Sequence, residues 1–130
     1  MEKRFVIIGS ILFCFAIILG AFGAHALKEI ISEQKLNSFE VGVRYQMFQS
    51  LAIIVLALNS KLFSFRLTNI LWIMTAGVLL FSGSIYCLSL SELSGISFKF
   101  LGPVTPLGGT LLISGWCIFI FKLIKSQPST

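Results

Sequence analysis

Apolar residues fill four long, nearly uncharged stretches of the chain, and the short segments between them carry almost all of the charge. A helix needs about 20 predominantly apolar residues to cross the hydrocarbon core of a bilayer. The stretches at about residues 5–27, 42–59, 68–90 and 104–124 therefore predict four transmembrane helices. Their apolar runs are continuous rather than alternating, and open strand edges would stay unpaired in lipid, so we expect no membrane-spanning sheet.

The composition favours the same class of protein. Of the 130 residues, 56% are hydrophobic and 12% are charged, whereas soluble domains typically contain about 25% charged residues. A small soluble fold leaves too much of its area exposed to hide this much apolar surface. We therefore predict an all-α membrane protein, a single four-transmembrane-helix bundle, and exclude a soluble enzyme, a disordered chain and a partner that is a nucleic acid.

The distribution of basic residues predicts how the bundle is oriented. Both termini and the connection between the second and third spans have an excess of positive charge, with Lys3, Arg4, Lys61, Arg66, Lys122 and Lys125 against Glu2. The other two connections are balanced, with Lys28, Lys35, Arg44 and Lys99 against Glu29, Glu33, Glu40 and Glu92. Because cytoplasmic loops carry the excess of Lys and Arg, we expect an N-in/C-in topology with residues 28–44 and 91–104 outside.

The outer segment at about residues 28–44 is amphipathic, with apolar residues at helical spacing among charged ones. We expect it to lie at the membrane interface or to extend the second helix outward. Glu40 and Arg44 are four residues apart and are placed to pair on one helix face.

The first span has a competing interpretation. Two basic residues, an apolar run and then Ala24-His25-Ala26 resemble a secretory signal peptide with its cleavage site. The uncharged run is longer than the apolar core of about 7–15 residues that signal peptides contain, which favours a retained helix. The charge distribution does not distinguish the two, since the remaining orientation is the same in both.

Polar residues of the spans gather toward the predicted outer end, while the opposite end is nearly all Ile, Leu, Phe and Val. Lipid offers no hydrogen-bond partners, so these side chains should turn inward. They form a candidate ligand-binding cluster of His25, Arg44, Tyr45, Gln46, Gln49, Ser82, Ser84, Tyr86 and Thr105. Two interpretations stay open, an outward-facing pocket and a hydrogen-bonded bundle core, and we favour the second because interhelical hydrogen bonds are ordinary in membrane bundles.

Other candidates for chemistry are few. Gly20 and Ala24 form a small-residue face that is typical of helix contact. His25 is the only histidine and cannot form a metal site alone. The three cysteines lie within apolar runs, where we expect them to be small buried hydrophobes. We therefore expect no metal, no cofactor and no catalytic residue, with membrane lipids as partners and a homo-oligomer that associates through the Gly/Ala helix faces.

Four ordered motifs support a family resemblance over nearly the whole chain. They are GAFGAHAL from residue 20, RYQ from residue 44, FSGSIY from residue 81, and PVTPLGG from residue 103 with Gly115-Trp116. With these motifs the sequence resembles the domain of unknown function 423 (YgdD-like) family of small four-helix membrane proteins, to which transmembrane protein 256 of animals is related. The resemblance implies a multi-pass protein of the bacterial inner membrane and no established activity. Members commonly carry histidine and alanine where this chain has Gln49 and Ser50, so a site with two histidines is not expected.

These observations favour a non-enzymatic integral membrane protein whose polar cluster organises the bundle, an oligomer, or a contact with a partner or lipid. One alternative is a transporter of ions or small molecules, which would need an oligomer because four short helices leave little room for a pore. A second alternative is an intramembrane enzyme acting on a lipid through His25 and Arg44, since arginine binds phosphate well.

Overall fold

The computed structural model describes residues 1–126, and their dominant feature is four long helices joined by short connections. In chain order the helices are α1 (Lys3–Phe22), α2 (Glu33–Leu58), α3 (Thr68–Ser89), the single turn α4 (Ser91–Ser94) and α5 (Val104–Lys125). A π-helical turn, Gly23–Leu27, continues α1, and short 3-10 turns occupy Ser60–Leu62 and Lys99–Leu101. The described residues contain no strand, and four helices are long and apolar enough to cross a membrane. The predicted all-α membrane fold is confirmed.

The second span is longer than its apolar stretch suggests. α2 begins at Glu33 rather than near residue 42, because the amphipathic residues 33–44 continue the same helix. Ser32 caps it, with its side-chain oxygen accepting a hydrogen bond from the backbone N–H of Lys35 at 3.3 Å. We expected this outer segment either to lie at the membrane interface or to extend the second helix, and in the structure it extends the helix.

The long helices pack in the order of the chain. α1 packs on α2, α2 on α3 and α3 on α5, and extensive contact is limited to these three pairs. α2 and α3 are therefore central, while α1 and α5 flank them with apolar faces that remain exposed, among them Ile7, Ile11, Phe15, Ile18, Leu107, Ile113, Ile120 and Phe121. Lipid tails can cover such faces without cost because they are as apolar as the side chains.

Small residues spaced seven apart allow α1 to approach α2 closely, and all of them are buried: Gly9, Ala16 and Gly23. A Cβ atom at Gly9 would lie 2.7 Å from Cγ1 of Ile54 and 3.1 Å from the carbonyl oxygen of Ser50. The predicted contact face was Gly20 with Ala24. Gly20 does face α2, but Ala24 is exposed.

The bundle has two distinct ends, which we call the His25 end and the Lys61 end. α1 finishes and α2 begins at the His25 end, where a small core contains Leu27, Ile31, Phe39 and Val43. α2 finishes and α3 begins at the Lys61 end, where the core is larger and rich in aromatic rings, with Phe5, Phe63, Phe65, Trp116 and Phe119.

The cysteines do not lie where the sequence interpretation placed them. Cys14 and Cys117 are exposed on the flanking helices, and Cys87 is half-buried. They differ from the expected buried hydrophobes because α1 and α5 each contact the rest of the bundle along one side only. All three are free thiols.

Candidate functional site

Gln46 lies at the centre of the polar residues in the His25 half of the bundle, and only 5% of it is exposed. Its amide nitrogen Nε2 donates a hydrogen bond to the backbone carbonyl of Leu12 on α1, at 2.7 Å. Its oxygen Oε1 accepts a hydrogen bond from the hydroxyl of Tyr86 on α3, also at 2.7 Å. One side chain on α2 therefore links three helices.

Serine and threonine hydroxyls make two further links from α3. The buried hydroxyl of Ser82 donates to the carbonyl of Gly42 on α2 at 2.7 Å. The hydroxyl of Ser84 donates to the carbonyl of Phe81 at 3.0 Å within its own helix. The same hydroxyl lies 2.5 Å from the hydroxyl of Thr105 on α5, a hydrogen bond in which either group can be the donor.

A fifth link lies deeper in the bundle. The indole nitrogen of Trp116 on α5 donates to Oε1 of Gln49 on α2 at 2.9 Å. We call the residues joined by these five interhelical hydrogen bonds the polar network: Gln46, Gln49, Ser82, Ser84, Tyr86, Thr105 and Trp116. The network connects all four long helices.

Three residues of the predicted cluster lie outside this network because they face the surface. His25, in the π-helical turn, and Arg44 are exposed, and the side chain of neither makes a hydrogen bond or ion pair with any of residues 1–126. The expected pair between Glu40 and Arg44 is not formed within that range. Tyr45 is 47% exposed and packs its ring against Phe81, with 4.6 Å between ring centroids.

A cavity of about 480 Å³ opens at the His25 end. It lies between the first turns of α2 and α5 and the last turn of α3, and seven of its nine lining residues are polar: Ser32, Gln34, Lys35, Ser38, Ile85, Leu88, Ser89, Glu92 and Thr105. Thr105 is the one member of the predicted cluster that lines it. The sequence interpretation missed the others because charged and hydroxyl residues near a helix end look like an ordinary solvated surface.

The cavity contains an ion pair and an unpaired hydroxyl. Nζ of Lys35 lies 3.4 Å from Oε1 of Glu92 and donates a hydrogen bond to the hydroxyl of Ser91 at 3.2 Å. Ser89 is 3% exposed, and its Oγ atom has no hydrogen-bond partner in the described part of the chain. Among residues 1–126, no three His, Cys, Asp or Glu side chains are grouped to hold a metal ion.

The polar network and the His25 end lie largely within a segment that recurs in known proteins. The profile of a family described as a protein of unknown function, DUF423, matches residues 19–109. The chain belongs to the DUF423 family. The predicted resemblance is confirmed.

Other proteins are similar to this DUF423 chain over almost its entire length. The UPF0382 membrane protein YwdK of Bacillus subtilis is 40% identical over 125 residues, which cover 95% of this chain and 98% of the relative. A UPF0382 membrane protein of Staphylococcus aureus is 37% identical over 123 residues, 95% of this chain and 97% of the relative. One of Haemophilus influenzae is 33% identical over 130 residues, 98% of each chain. No solved structure matches.

Proposed function

We propose that this DUF423 protein is a non-enzymatic, multi-pass protein of the bacterial inner membrane with both termini in the cytoplasm. Its polar network would hold the four helices in one arrangement and so shape the His25 end for contact with lipid or a partner. The observation that carries this proposal is the double hydrogen bond of Gln46, to Leu12 on one side and to Tyr86 on the other.

The pairing within the network supports an organising role over a catalytic one. Apart from the amide nitrogen of Gln49, its side-chain groups make hydrogen bonds to one another or to backbone carbonyls. A single interhelical hydrogen bond in a membrane contributes about 0.6 kcal/mol, with a maximum near 1.7 kcal/mol. Five such bonds add stability, and because each requires one alignment of two helices, they also favour one register over its alternatives.

Lipids are the partners that the exposed faces of α1 and α5 favour, because these faces are broad and apolar. The glycine face of α1 is covered by α2 within the chain, and Gly108 and Gly115 of α5 lie against α3. A homo-oligomer would therefore associate through residues other than these glycines.

Substitution of Gln46 by leucine tests the organising role. Gln46→Leu removes two interhelical bonds and leaves the hydroxyl of Tyr86 without its acceptor. We expect the free energy of unfolding to fall by about 1–3 kcal/mol, measured by SDS titration in dodecyl maltoside micelles. The matched control is Gln34→Leu, an exposed position on the same helix outside the network, which should change it by less than about 0.5 kcal/mol.

Reconstitution into liposomes separates this proposal from the two alternatives. We expect neither solute flux nor lipid turnover from the wild-type protein. Flux across the liposome membrane would replace the proposal with a transporter. Lipid turnover that His25→Ala or Arg44→Ala abolishes would replace it with a lipid-acting enzyme.

Single-cysteine labelling tests the orientation in the membrane. Cys14, Cys87 and Cys117 would first be replaced by alanine, and then one cysteine introduced in each connection. We expect a membrane-impermeant maleimide to label Ser97→Cys in intact cells and to label Ser64→Cys only after permeabilisation. The reverse pattern would show that the bundle is inverted and that basic residues do not set its orientation.

A further inference from the structure

The cavity at the His25 end is formed by three helices, and of the polar network only Thr105 contributes to its lining. Its volume of about 480 Å³ falls within the range of about 300–1,000 Å³ that is usual for small-molecule sites. It lies at the level where the charged residues of α2 begin, at the end of the membrane spans. A ligand there would be the size of a lipid headgroup or a small solute.

One wall of the cavity favours a negative charge. The first turns of α2 and α5 contribute Ser32, Gln34 and Thr105 to the lining. Ser32 caps the N–H of Lys35 and Pro106 has no N–H, but the other N–H groups of these first turns lack partners within their helices. The helix dipole gives them partial positive charge, which is why phosphate groups bind there. Lys35 of the same turn of α2 also lines the cavity, and its ammonium group lies against Glu92 and Ser91.

The facing wall favours a positive charge. α3 ends at the cavity, with Leu88 and Ser89 lining it. The last carbonyl groups of a helix carry partial negative charge, and the carboxylate of Glu92 lies just beyond them. Glu92 and Lys35 are 3.4 Å apart, so an anion alone would meet a carboxylate and a cation alone would meet an ammonium group. A ligand that bears both charges satisfies both walls.

Ser89 supplies an observation that is independent of these charges. Its hydroxyl is buried and has no hydrogen-bond partner among residues 1–126. Buried hydroxyls are nearly always paired, and one that is not needs a reason. Ser89 lines the cavity, but its Oγ atom is almost fully covered by protein, so the hydroxyl would rotate about the Cα–Cβ bond to meet a polar ligand there.

We propose that this cavity binds a zwitterionic group in which a phosphate and a primary ammonium are separated by a short linker, as in phosphoethanolamine. The phosphate faces the first turns of α2 and α5 and the ammonium of Lys35. The ligand's ammonium faces Glu92 and the last carbonyls of α3. Binding is non-covalent and leaves the ligand unchanged. The inference deepens the proposed function, since it names a ligand class for the end of the bundle that the polar network shapes.

Native mass spectrometry of the full chain in detergent tests the ligand class. The probes are phosphatidylethanolamine, phosphatidylcholine and phosphatidylglycerol with identical acyl chains. Phosphatidylcholine keeps the positive charge but has no N–H donors, and phosphatidylglycerol has no ammonium. We expect each to be retained roughly tenfold less than phosphatidylethanolamine, the factor that corresponds to about 1.4 kcal/mol, close to the lower end of the range for one charge-assisted hydrogen bond.

Charge-matched variants locate the site. Lys35→Gln and Glu92→Gln should each lower retention of phosphatidylethanolamine roughly tenfold. Lys28→Gln and Glu29→Gln remove the same charges from exposed positions that do not line the cavity, and they should leave retention unchanged. Equal retention of the three lipids would overturn the proposal, as would equal losses at Lys28 and Lys35.

Ser89→Ala keeps the proposal testable without altering any charge. Removal of an unpaired buried hydroxyl should leave the ligand-free protein as stable as the wild type or more so. The same variant should bind phosphatidylethanolamine several-fold more weakly. Unchanged binding in Ser89→Ala would show that the hydroxyl does not contact the ligand and would count against the site.

Soluble glycerophosphoethanolamine distinguishes the two sources of this group. If it competes with phosphatidylethanolamine for the protein in micelles, the headgroup alone is recognised and a free solute is a ligand. If only the lipid binds, acyl chains contribute and the ligand is a membrane lipid. These variants leave Gln46 and Tyr86 in place, so failure of the binding test is distinct from failure of the organising role.

Discussion

The two halves of the bundle are held together by different interactions. In the His25 half the helices are joined by hydrogen bonds through Gln46, Ser82, Ser84 and Tyr86. In the Lys61 half, aromatic rings predominate: Phe119 of α5 meets Phe63 and Phe65 of the connection between α2 and α3, and Trp116 of its own helix, at centroid distances of 5.4–6.1 Å. Two hydrogen bonds of Glu2, one to Thr68 and one to the carbonyl of Ala57, add to these contacts. The hydrogen bonds of the His25 half are directional, whereas the ring contacts of the Lys61 half depend on how closely the side chains fit together.

The difference matters because the surroundings are lipid rather than water. Burial of an apolar side chain gains little in a bilayer, since the tails it leaves are equally apolar. The Lys61 half therefore depends on tight packing, while the His25 half depends on bonds that lipid cannot replace. The cavity lies at the His25 end, where directional hydrogen bonds fix the helices relative to one another. Such bonds support a polar binding site better than packing does, because they hold its groups in a defined geometry.

Gly108 provides the sharpest test of the His25 half. A Cβ atom there would overlap the backbone nitrogen of Phe81 and lie 2.7 Å from its Cα and 2.9 Å from the carbonyl carbon of Leu80. Backbone atoms cannot avoid this overlap by changing rotamer, as a side chain can. We therefore expect α3 and α5 to separate and the contact between Ser84 and Thr105 to break. We expect Gly108→Ala to lower the free energy of unfolding by about 3 kcal/mol or more, measured by SDS titration.

The matched control for this variant is Gly83→Ala. A Cβ atom at Gly83 would meet nothing within 4 Å. Alanine is favoured over glycine within a helix by about 1 kcal/mol, so this variant should be as stable as the wild type or slightly more so. Similar losses in both variants would mean that the close approach of α3 and α5 does not hold the bundle together.

Phe119 tests the Lys61 half. Phe119→Ala removes the ring at the centre of the aromatic contacts, and in water-soluble proteins such a change costs about 3–5 kcal/mol. Because lipid removes most of the hydrophobic part of that cost, we expect a loss of about 2 kcal/mol in the same titration. Phe121→Ala is the control, since its ring is 57% exposed, and we expect it to cost less than about 0.5 kcal/mol. A loss near 4 kcal/mol for Phe119→Ala would contradict the idea that this ring stabilises the bundle by packing without a hydrophobic contribution.

The sequence predicted the helices well because bilayer thickness dictates their length and lipid dictates their composition. It indicated an apolar span from near residue 42 and left open whether the amphipathic residues before it extend the helix, which begins at Glu33. An amphipathic pattern is the same for a helix lying on the membrane surface and for one that rises out of it. The choice depends on what the apolar side contacts, here the small core that contains Leu27 and Phe39.

All residues of the network except Trp116 were singled out from the sequence because lipid offers them no partners, but their partners were not identifiable. Gln46 and Ser82 bond to the carbonyls of Leu12 and Gly42, and every residue has such a carbonyl. The sequence also did not separate Tyr86, which points into the network, from Tyr45, which is exposed. That difference depends on the rotation of each helix about its axis, which packing between distant segments sets.

Substitution of each of these two tyrosines by phenylalanine is the test with the smallest expected effect. One substitution removes a hydroxyl from the polar network, and the other removes a hydroxyl from the surface. In Tyr86→Phe the ring keeps its contact with Phe39, at 5.0 Å between centroids, while Gln46 loses a donor. We expect a loss of about 1 kcal/mol, within the range of a single interhelical hydrogen bond. Tyr45→Phe removes a hydroxyl at the surface, and we expect a change below about 0.3 kcal/mol in the same SDS titration. Equal effects of the two substitutions would show that the His25 half, like the Lys61 half, is held by the shape of its rings and that its hydrogen bonds add little.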